Sequence, residues 1–272
     1  MENDYIEILF ENVEATQIEY LVAWLSDIGY EGFEEGENWL KAFIPAVSFD
    51  EKLLKENPVV KNCSMKVSTI AATNWNAVWE SNFEPVVVED FVGLRADFHA
   101  PITAVQHEII ITPKMSFGTG HHATTYLMML AMRQIDFTGK NVFDFGTGTG
   151  VLSILAHQLG AKKITAVDND DWSIENAGEN FTKNNCSNIA LRQQADAGEG
   201  QVFEIILANI NKNVLLYNMK KMATQLTEKG VLLLSGILPE DVMDIVNKAK
   251  QENLKIQYQT AKNNWVCLQF TH

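Results

Sequence analysis

The chain has 272 residues, 46% of them hydrophobic and 21% charged, and a formal net charge of −14, which supports a large domain beside a small one. The negative charge opposes the phosphate backbone that supplies most nucleic-acid affinity and suits a basic partner, so no direct nucleic acid is expected. Cys63, Cys186 and Cys267 fit neither a disulfide framework nor zinc spacing, and neither a signal-like segment nor an apolar run of roughly 18 residues is visible, so the expectation is a cytoplasmic protein with free thiols and no membrane span.

Residues 4–10 alternate polar and apolar, which predicts a strand. Thr16 and Glu19 have the spacing of a capping box, Ile18, Leu21, Val22, Leu25 and Ile28 follow at helical intervals, and Gly29 stops the helix. Two strands are expected at 31–35 and 38–45 around Gly36, a helix at 49–57 before Pro58, and a strand at 63–71. The order strand, helix, strand, strand, helix, strand predicts a small ferredoxin-like α+β domain over residues 1–72. Residues 73–85 read as a linker helix with Trp75 and Trp79 on one face, ended by Pro85.

The remainder, 86–272, reads as one domain. Strands are expected at 86–89, 92–97 and 107–111. Helical stretches at 124–135, 151–159 and 172–184 then alternate with apolar strands at 141–145, 163–167, 189–192, 204–208 and 230–235. This βα alternation predicts a Rossmann-like α/β fold with a mostly parallel sheet. Segments 254–259 and 264–270, joined by a turn at Asn263–Asn264, add a C-terminal antiparallel hairpin.

The chemistry concentrates in four places. Asp144-Phe-Gly146-Thr-Gly148-Thr-Gly150 carries a buried strand through a glycine turn into a helix. Glycines there let a ligand approach the backbone. A dinucleotide loop needs G-x-G-x-x-G, but Val151 stands where its last glycine would be. The G-x-G-x-G form instead suits S-adenosylmethionine. Asp168 ends the next strand, where a carboxylate can accept from ribose hydroxyls; Asp170 or Asp171 is better placed to cap the helix that follows. Asn209 ends the fourth strand in Ala208-Asn209-Ile210, where its amide oxygen and a nearby carbonyl can orient an amine; an ordinary turn asparagine is the alternative. Residues 112–125 include Ser116, Phe117, Gly118, Thr119, Gly120, His121 and His122 and feed a helix N-terminus suited to a carboxylate. The paired histidines lack a second ligand cluster, so no metal is expected.

Together these segments resemble the PrmA family, methyltransferases of large-subunit ribosomal protein L-eleven. That family carries F-G-T-G-x-H-x-T-T, D-x-G-x-G-x-G, an aspartate ending the next strand, A-N-I and S-G-I-L. Here they fall on Phe117–Thr125, Asp144–Gly150, Asp168, Ala208–Ile210 and Ser235–Leu238. The resemblance implies transfer of methyl groups from S-adenosylmethionine to lysine side chains and the N-terminal amine of that basic ribosomal protein. It also implies that the N-terminal domain holds the protein substrate. The resemblance puts cofactor contacts on Thr125, Gly146, Asp168 and Asn209; Phe117, Thr119, Asp144, Gly148 and Gly150 complete the candidate cofactor set, with Asn209 and Ile210 at the reacting centre, and a monomer is expected. His121, Ala123, Thr147, Thr149 and Asn169 depart from the residues common in the family. Alternatives are an amine-directed methyltransferase acting on another protein, an RNA base or a small molecule, a nicotinamide oxidoreductase, and a non-catalytic binder of a ribosomal protein.

Overall fold

The computed structural model describes residues 4–70, 83–114, 117–198 and 200–272. The expected linker helix at 73–85 and Ser116 thus fall wholly or largely outside the described residues. The chain divides into two compact units, 1–81 and 82–272.

In the first unit, β1 (Tyr5–Glu11), α1 (Ala15–Asp27), β2 (Gly32–Gly36), β3 (Trp39–Pro45), α2 (Glu51–Glu56) and β4 (Ser64–Ile70) follow in order. The strands form an antiparallel sheet, β2-β3-β1-β4, the ferredoxin-like arrangement. Ile6, Ile8 and Phe10 alternate into a core completed by Leu21 and Leu25 of α1. The start of α1 differs from the expected capping box. The N-cap is Glu14, whose backbone N–H donates to the Gln17 side chain at 3.0 Å, and Thr16 lies inside the first turn. Gln17 supplies the same reciprocal contact two residues earlier in the chain than Glu19 would have.

The second unit opens with a three-stranded sheet of β5 (Val86–Val88), β6 (Val92–Arg95) and β7 (His107–Ile110). Then come α3 (Ala123–Met132), β8 (Asn141–Phe145), α4 (Val151–Gln158), β9 (Lys163–Asp168), α5 (Asp171–Lys183), β10 (Ile189–Gln193), β11 (Phe203–Asn209), α6 (Lys212–Gln225), β12 (Leu226–Ile237), α7 (Val242–Gln251), β13 (Lys255–Lys262) and β14 (Trp265–Thr271). The main sheet runs β10-β9-β8-β11-β12-β14-β13. Strands β10 to β12 are parallel, and β14 enters antiparallel, as the expected hairpin requires. Its turn places Asn263 and Asn264 at φ 48° and 61°, left-handed values that asparagine tolerates.

Central β11 is covered on both faces, which explains its continuous apolar run. Ile205 and Leu207 join the layer containing α3 and α4 residues such as Met128 and Leu155. Ile206 and Ala208 join the layer containing Leu215 and Met219 of α6. Helices α6 and α7 were not read from the sequence. The helix expected at 124–135 ends at Met132, with Arg133 as its cap.

The strand order reverses at β8, whose neighbours are β9 and β11. A crevice opens outside the carboxyl ends of the strands at such a point. A column of asparagines on α5 and at its C-cap secures the chain beside it. Asn184 accepts from the Ile110 N–H at 2.9 Å and donates to the Ile110 carbonyl at 2.6 Å. Asn180, one turn earlier, accepts from the Thr112 N–H at 2.7 Å and donates to the Thr149 carbonyl at 2.8 Å. Asn176 donates to the Thr112 carbonyl at 3.2 Å. Four-residue spacing puts all three on one helix face, where they satisfy backbone groups at and just beyond the end of β7 and in the glycine turn. Asn180→Ala is expected to cost about 1–3 kcal/mol for each of the two groups it orphans. Urea denaturation measures this; a loss below about 0.5 kcal/mol would show that the column holds nothing.

Candidate active site

The glycine turn is shaped by crowding. Gly146, Gly148 and Gly150 have φ of 78°, 54° and 81°, values at which an L side chain is strained. A Cβ on Gly146 would strike Ile210, one on Gly148 the Phe117 carbonyl, and one on Gly150 the Phe181 ring. The turn is therefore pressed between the 117–118 segment, the end of β11 and α5. Its backbone is pinned from both ends: the Gly146 and Thr147 N–H groups each donate to the Val167 carbonyl at 2.9 Å, and the Thr149 N–H donates to the Phe117 carbonyl at 3.0 Å.

Two carboxylates serve this turn differently. Asp144 is fully buried, and its Oδ2 accepts from the Thr147 and Ser153 hydroxyls at 2.6 and 2.7 Å. Burial pushes its carboxyl from an ordinary 3.8 up to about 6, the two hydroxyls opposing the shift and the charge of Asp168 adding to it. Asp168 is half-buried at the tip of β9. Its Oδ2 accepts from the Gly148 N–H at 2.9 Å and its Oδ1 from the Asp170 N–H at 3.1 Å. Each oxygen keeps a lone pair for a further donor. Asp170 caps α5 by accepting from the Ser173 N–H at 2.9 Å.

A cleft of about 460 Å³ lies over the strand tips. Phe117, Gly146, Gly148, Asp168, Asn209 and Ile210 all line it, so six of the residues singled out from sequence meet at one place. Thr119, Thr125, Asp144 and Gly150 do not line it. Thr119 contacts the His121 ring nitrogen Nδ1 at 3.4 Å. Gly150 faces α5, and Asp144 lies beneath the turn. Thr125 is buried in the first turn of α3, where its Oγ1 accepts from Asn209 Nδ2 at 3.4 Å. That contact orients the amide. Asn209 Oδ1 is buried and has no hydrogen-bond partner among the described residues, an arrangement that costs stability unless something else fills it.

The cleft also has walls beyond the candidate site residues; of these, His122 and Gly236 stand in motifs read from the sequence without a role in the site. Gln194 and Ala195 follow β10; their signal was their place after a parallel strand, where ligands approach. His122 caps α3, with Nδ1 accepting from the Thr124 N–H at 3.4 Å and lying 2.8 Å from the Thr124 hydroxyl. Trp265 reaches the cleft from the start of β14. Nothing in its local spacing marks it, because an antiparallel return strand brings it there. Gly236, at φ 84°, has no room for a Cβ against the Ile210 backbone, so the end of β12 abuts the turn after Asn209. No group of three or more His, Cys, Asp or Glu among the described residues could hold a metal ion. No helix among them is long and apolar enough to cross a membrane.

The chain matches known proteins over most of its length. The family model described as ribosomal protein L11 methyltransferase (PrmA) matches residues 27–272. A ribosomal protein L11 methyltransferase of Porphyromonas gingivalis is 41% identical over 265 residues, covering 94% of this chain and 91% of that one. A protein of the same name from Phocaeicola vulgatus is 34% identical and covers 98% of both. The crystal structure of ribosomal protein L11 methylase from Lactobacillus delbrueckii subsp. bulgaricus aligns with a TM-score of 0.65 at 28% identity, covering 70% of this chain and 100% of that one.

The raised carboxyl of Asp144 generates a pH-dependent prediction. Stability from its neutral form is fully present below pH 3.8 and is lost as pH rises through about 6. The stability of the natural protein relative to Asp144→Asn should therefore fall by about 2 kcal/mol between pH 4 and 7 and then level off. Urea midpoints across that range read it; a constant difference would mean that Asp144 does not titrate in this window.

Proposed function

The chain belongs to the ribosomal protein L11 methyltransferase family, and we propose that the cleft over its strand tips is where methyl groups pass from S-adenosylmethionine to amino groups of L11, both lysine side chains and the N-terminal amine. When bound, the cofactor supplies a methyl on a sulfonium, a leaving group that needs no further activation.

The residues present fit that group. Gly146 and Gly148 present bare backbone to the cleft, and a Cβ at either would fill space already taken by Ile210 or Phe117. Asp168 is pre-set by the Gly148 and Asp170 N–H groups, with lone pairs left for the ribose hydroxyls. Asn169 and Ala195 line the cleft beside it, where the base would lie. The observation that carries the reading is the orphaned Asn209 Oδ1 on the cleft wall. An incoming amine can donate to it, while Thr125 holds the other end of the amide. The attacking nitrogen must be neutral, although a free lysine has a pKa near 10.4. Phe117, Phe145, Ile210, Val214 and Trp265 line the same cleft and disfavour the primary ammonium by desolvation. The proton passes to water.

Residues 1–72 recognise the protein substrate in this scheme, residues 73–85 link, and residues 86–272 bind cofactor and carry the reaction. The cleft residues all lie beyond residue 116, and the net charge of −14 suits a basic ribosomal protein. The protein acts in the cytoplasm as a monomer and without touching nucleic acid. Removing residues 1–72 should leave S-adenosylmethionine binding intact while methylation of L11 collapses; transfer at full rate by the shortened chain would contradict the assignment.

Asn209→Ala tests the centre of the scheme. Loss of one positioning contact should slow single-turnover methyl transfer about a hundredfold, with a smaller loss in cofactor affinity and a near-normal melting temperature. Near-normal transfer, or affinity and stability falling together, would return Asn209 to the role of a turn residue.

A further inference from the structure

Residues 1–72 carry 14 acidic residues against five lysines and no arginine, a net −9 of the chain's −14. The excess is densest at a sheet edge. Residues 31–37, which contain the edge strand β2, hold Glu31, Glu34, Glu35 and Glu37 and no basic residue. Charges on an edge strand guard it against pairing with another edge. That accounts for some of these glutamates and not for an excess spread over the whole unit.

Helices α1 and α2 both pack on one face of the β2-β3-β1-β4 sheet, where Leu21, Leu25 and Leu54 meet Ile8, Phe10 and Leu40. Neither covers the opposite face. A solvated face of an antiparallel sheet ordinarily reads polar. Here β1 and β3 turn Tyr5, Leu9, Trp39 and Phe43 to it. The Trp39 ring occupies the place of a Cβ on Gly36, and the Phe43 ring comes within 3.4 Å of one on Gly32. Both rings thus lie on glycines of the edge strand, and both stay half-buried. Beside them a hollow of about 390 Å³ opens between Leu9, Glu11, Asn38, Trp39 and Lys41. Lys41 lies 3.1 Å from Glu7 and 4.0 Å from Glu34, and Lys66 lies 2.9 Å from Glu11. Glu31 accepts from the Tyr5 hydroxyl at 2.8 Å. Four carboxylates therefore meet two ammonium groups, and the face keeps a negative excess.

We propose that this ring-bearing sheet face is where L11 docks, with lysine or arginine side chains of its basic surface laid across Trp39 and Phe43 and their cationic heads reaching the glutamates beside them. The proposal rests on the reading of L11 as substrate given above and adds the surface that holds it. Long basic side chains suit both parts of such a face. Their methylene stems cover apolar surface, while the head meets a ring face or a carboxylate. Large rings at the centre with charges around them also match the way contact energy is distributed in protein interfaces. The net −9 of residues 1–72 speeds encounter with a basic partner and repels a second copy of the same unit. Charge therefore selects L11 over another copy of this chain as the occupant.

The test uses the full chain, with L11 and S-adenosylmethionine titrated separately by calorimetry and steady-state transfer measured beside them. Trp39→Ala is expected to weaken L11 binding and raise the KM for L11 about tenfold, with kcat and S-adenosylmethionine affinity close to the natural values. Because the ring covers Gly36, its loss can loosen β2. Glu34→Lys, at an exposed position, is therefore the second variant. It should weaken L11 binding about fivefold at low salt, and the gap should close as salt is raised. Unchanged L11 affinity in a folded Trp39→Ala variant, or in Glu34→Lys, would overturn the docking face. So would self-association of the natural protein that Trp39→Ala abolishes, since a second copy would then be the occupant. Failure of the broader reading would show separately, as a natural protein that neither binds nor methylates L11, and would take the proposal with it.

Discussion

The hydrogen bond from the Gly148 N–H to Asp168 ties two consecutive strand ends together across 20 residues of chain. The turn that donates it is held open only because glycine accepts left-handed φ at 146, 148 and 150. Beneath the turn, Asp144 binds Thr147 and Ser153 and so links the strand, the turn and the first turn of α4. Beside it, the α5 asparagines fix Thr112 and Thr149. The same few contacts thus form the floor of the cleft and aim a carboxylate across it. A fault in this cluster would be felt in both stability and binding, because the same contacts serve both.

The long axis of the cleft follows from strand order. Reversal at β8 opens the crevice, parallel β9 and β10 offer Asp168, Asn169, Gln194 and Ala195 on one side, and β11, β12 and β14 offer Asn209, Gly236 and Trp265 on the other. One half thus bears the Asp168 carboxylate, and the other is lined by the rings of His122 and Trp265. The amide of Asn209 stands at the junction, its nitrogen turned to Thr125 and its oxygen left without a protein partner among the described residues.

Much of this was legible in the sequence because it is local. Period-two and period-3.6 patterns located most strands and helices, and the G-x-G-x-G spacing separated the turn from a dinucleotide loop. Asp168 and Asn209 could be placed by position, since each ends an apolar strand, while Ile210 came with the family resemblance. The capping box at Thr16 failed because several polar residues near a helix start can serve, and packing selected Glu14 with Gln17. Helices α6 and α7 escaped a reading that followed strands and motifs. Trp265 escaped for a different reason: it arrives on an antiparallel return strand, a place that carries no periodic signal, whereas His122 stood in the 117–125 motif with no role assigned to it. Likewise, spacing cannot tell Asp144, buried under the turn, from Asp168, which faces the cleft.

The central claim is that Asp168, held by the Gly148 and Asp170 amides, is the anchor for S-adenosylmethionine. Calorimetric titration of the purified full chain and of Asp168→Ala, with melting temperatures recorded beside it, tests this most directly. The account predicts that affinity falls by about 1–3 kcal/mol, the cost of removing a charged acceptor from donors in the site, while the variant stays folded. Unchanged affinity in a folded variant would contradict it.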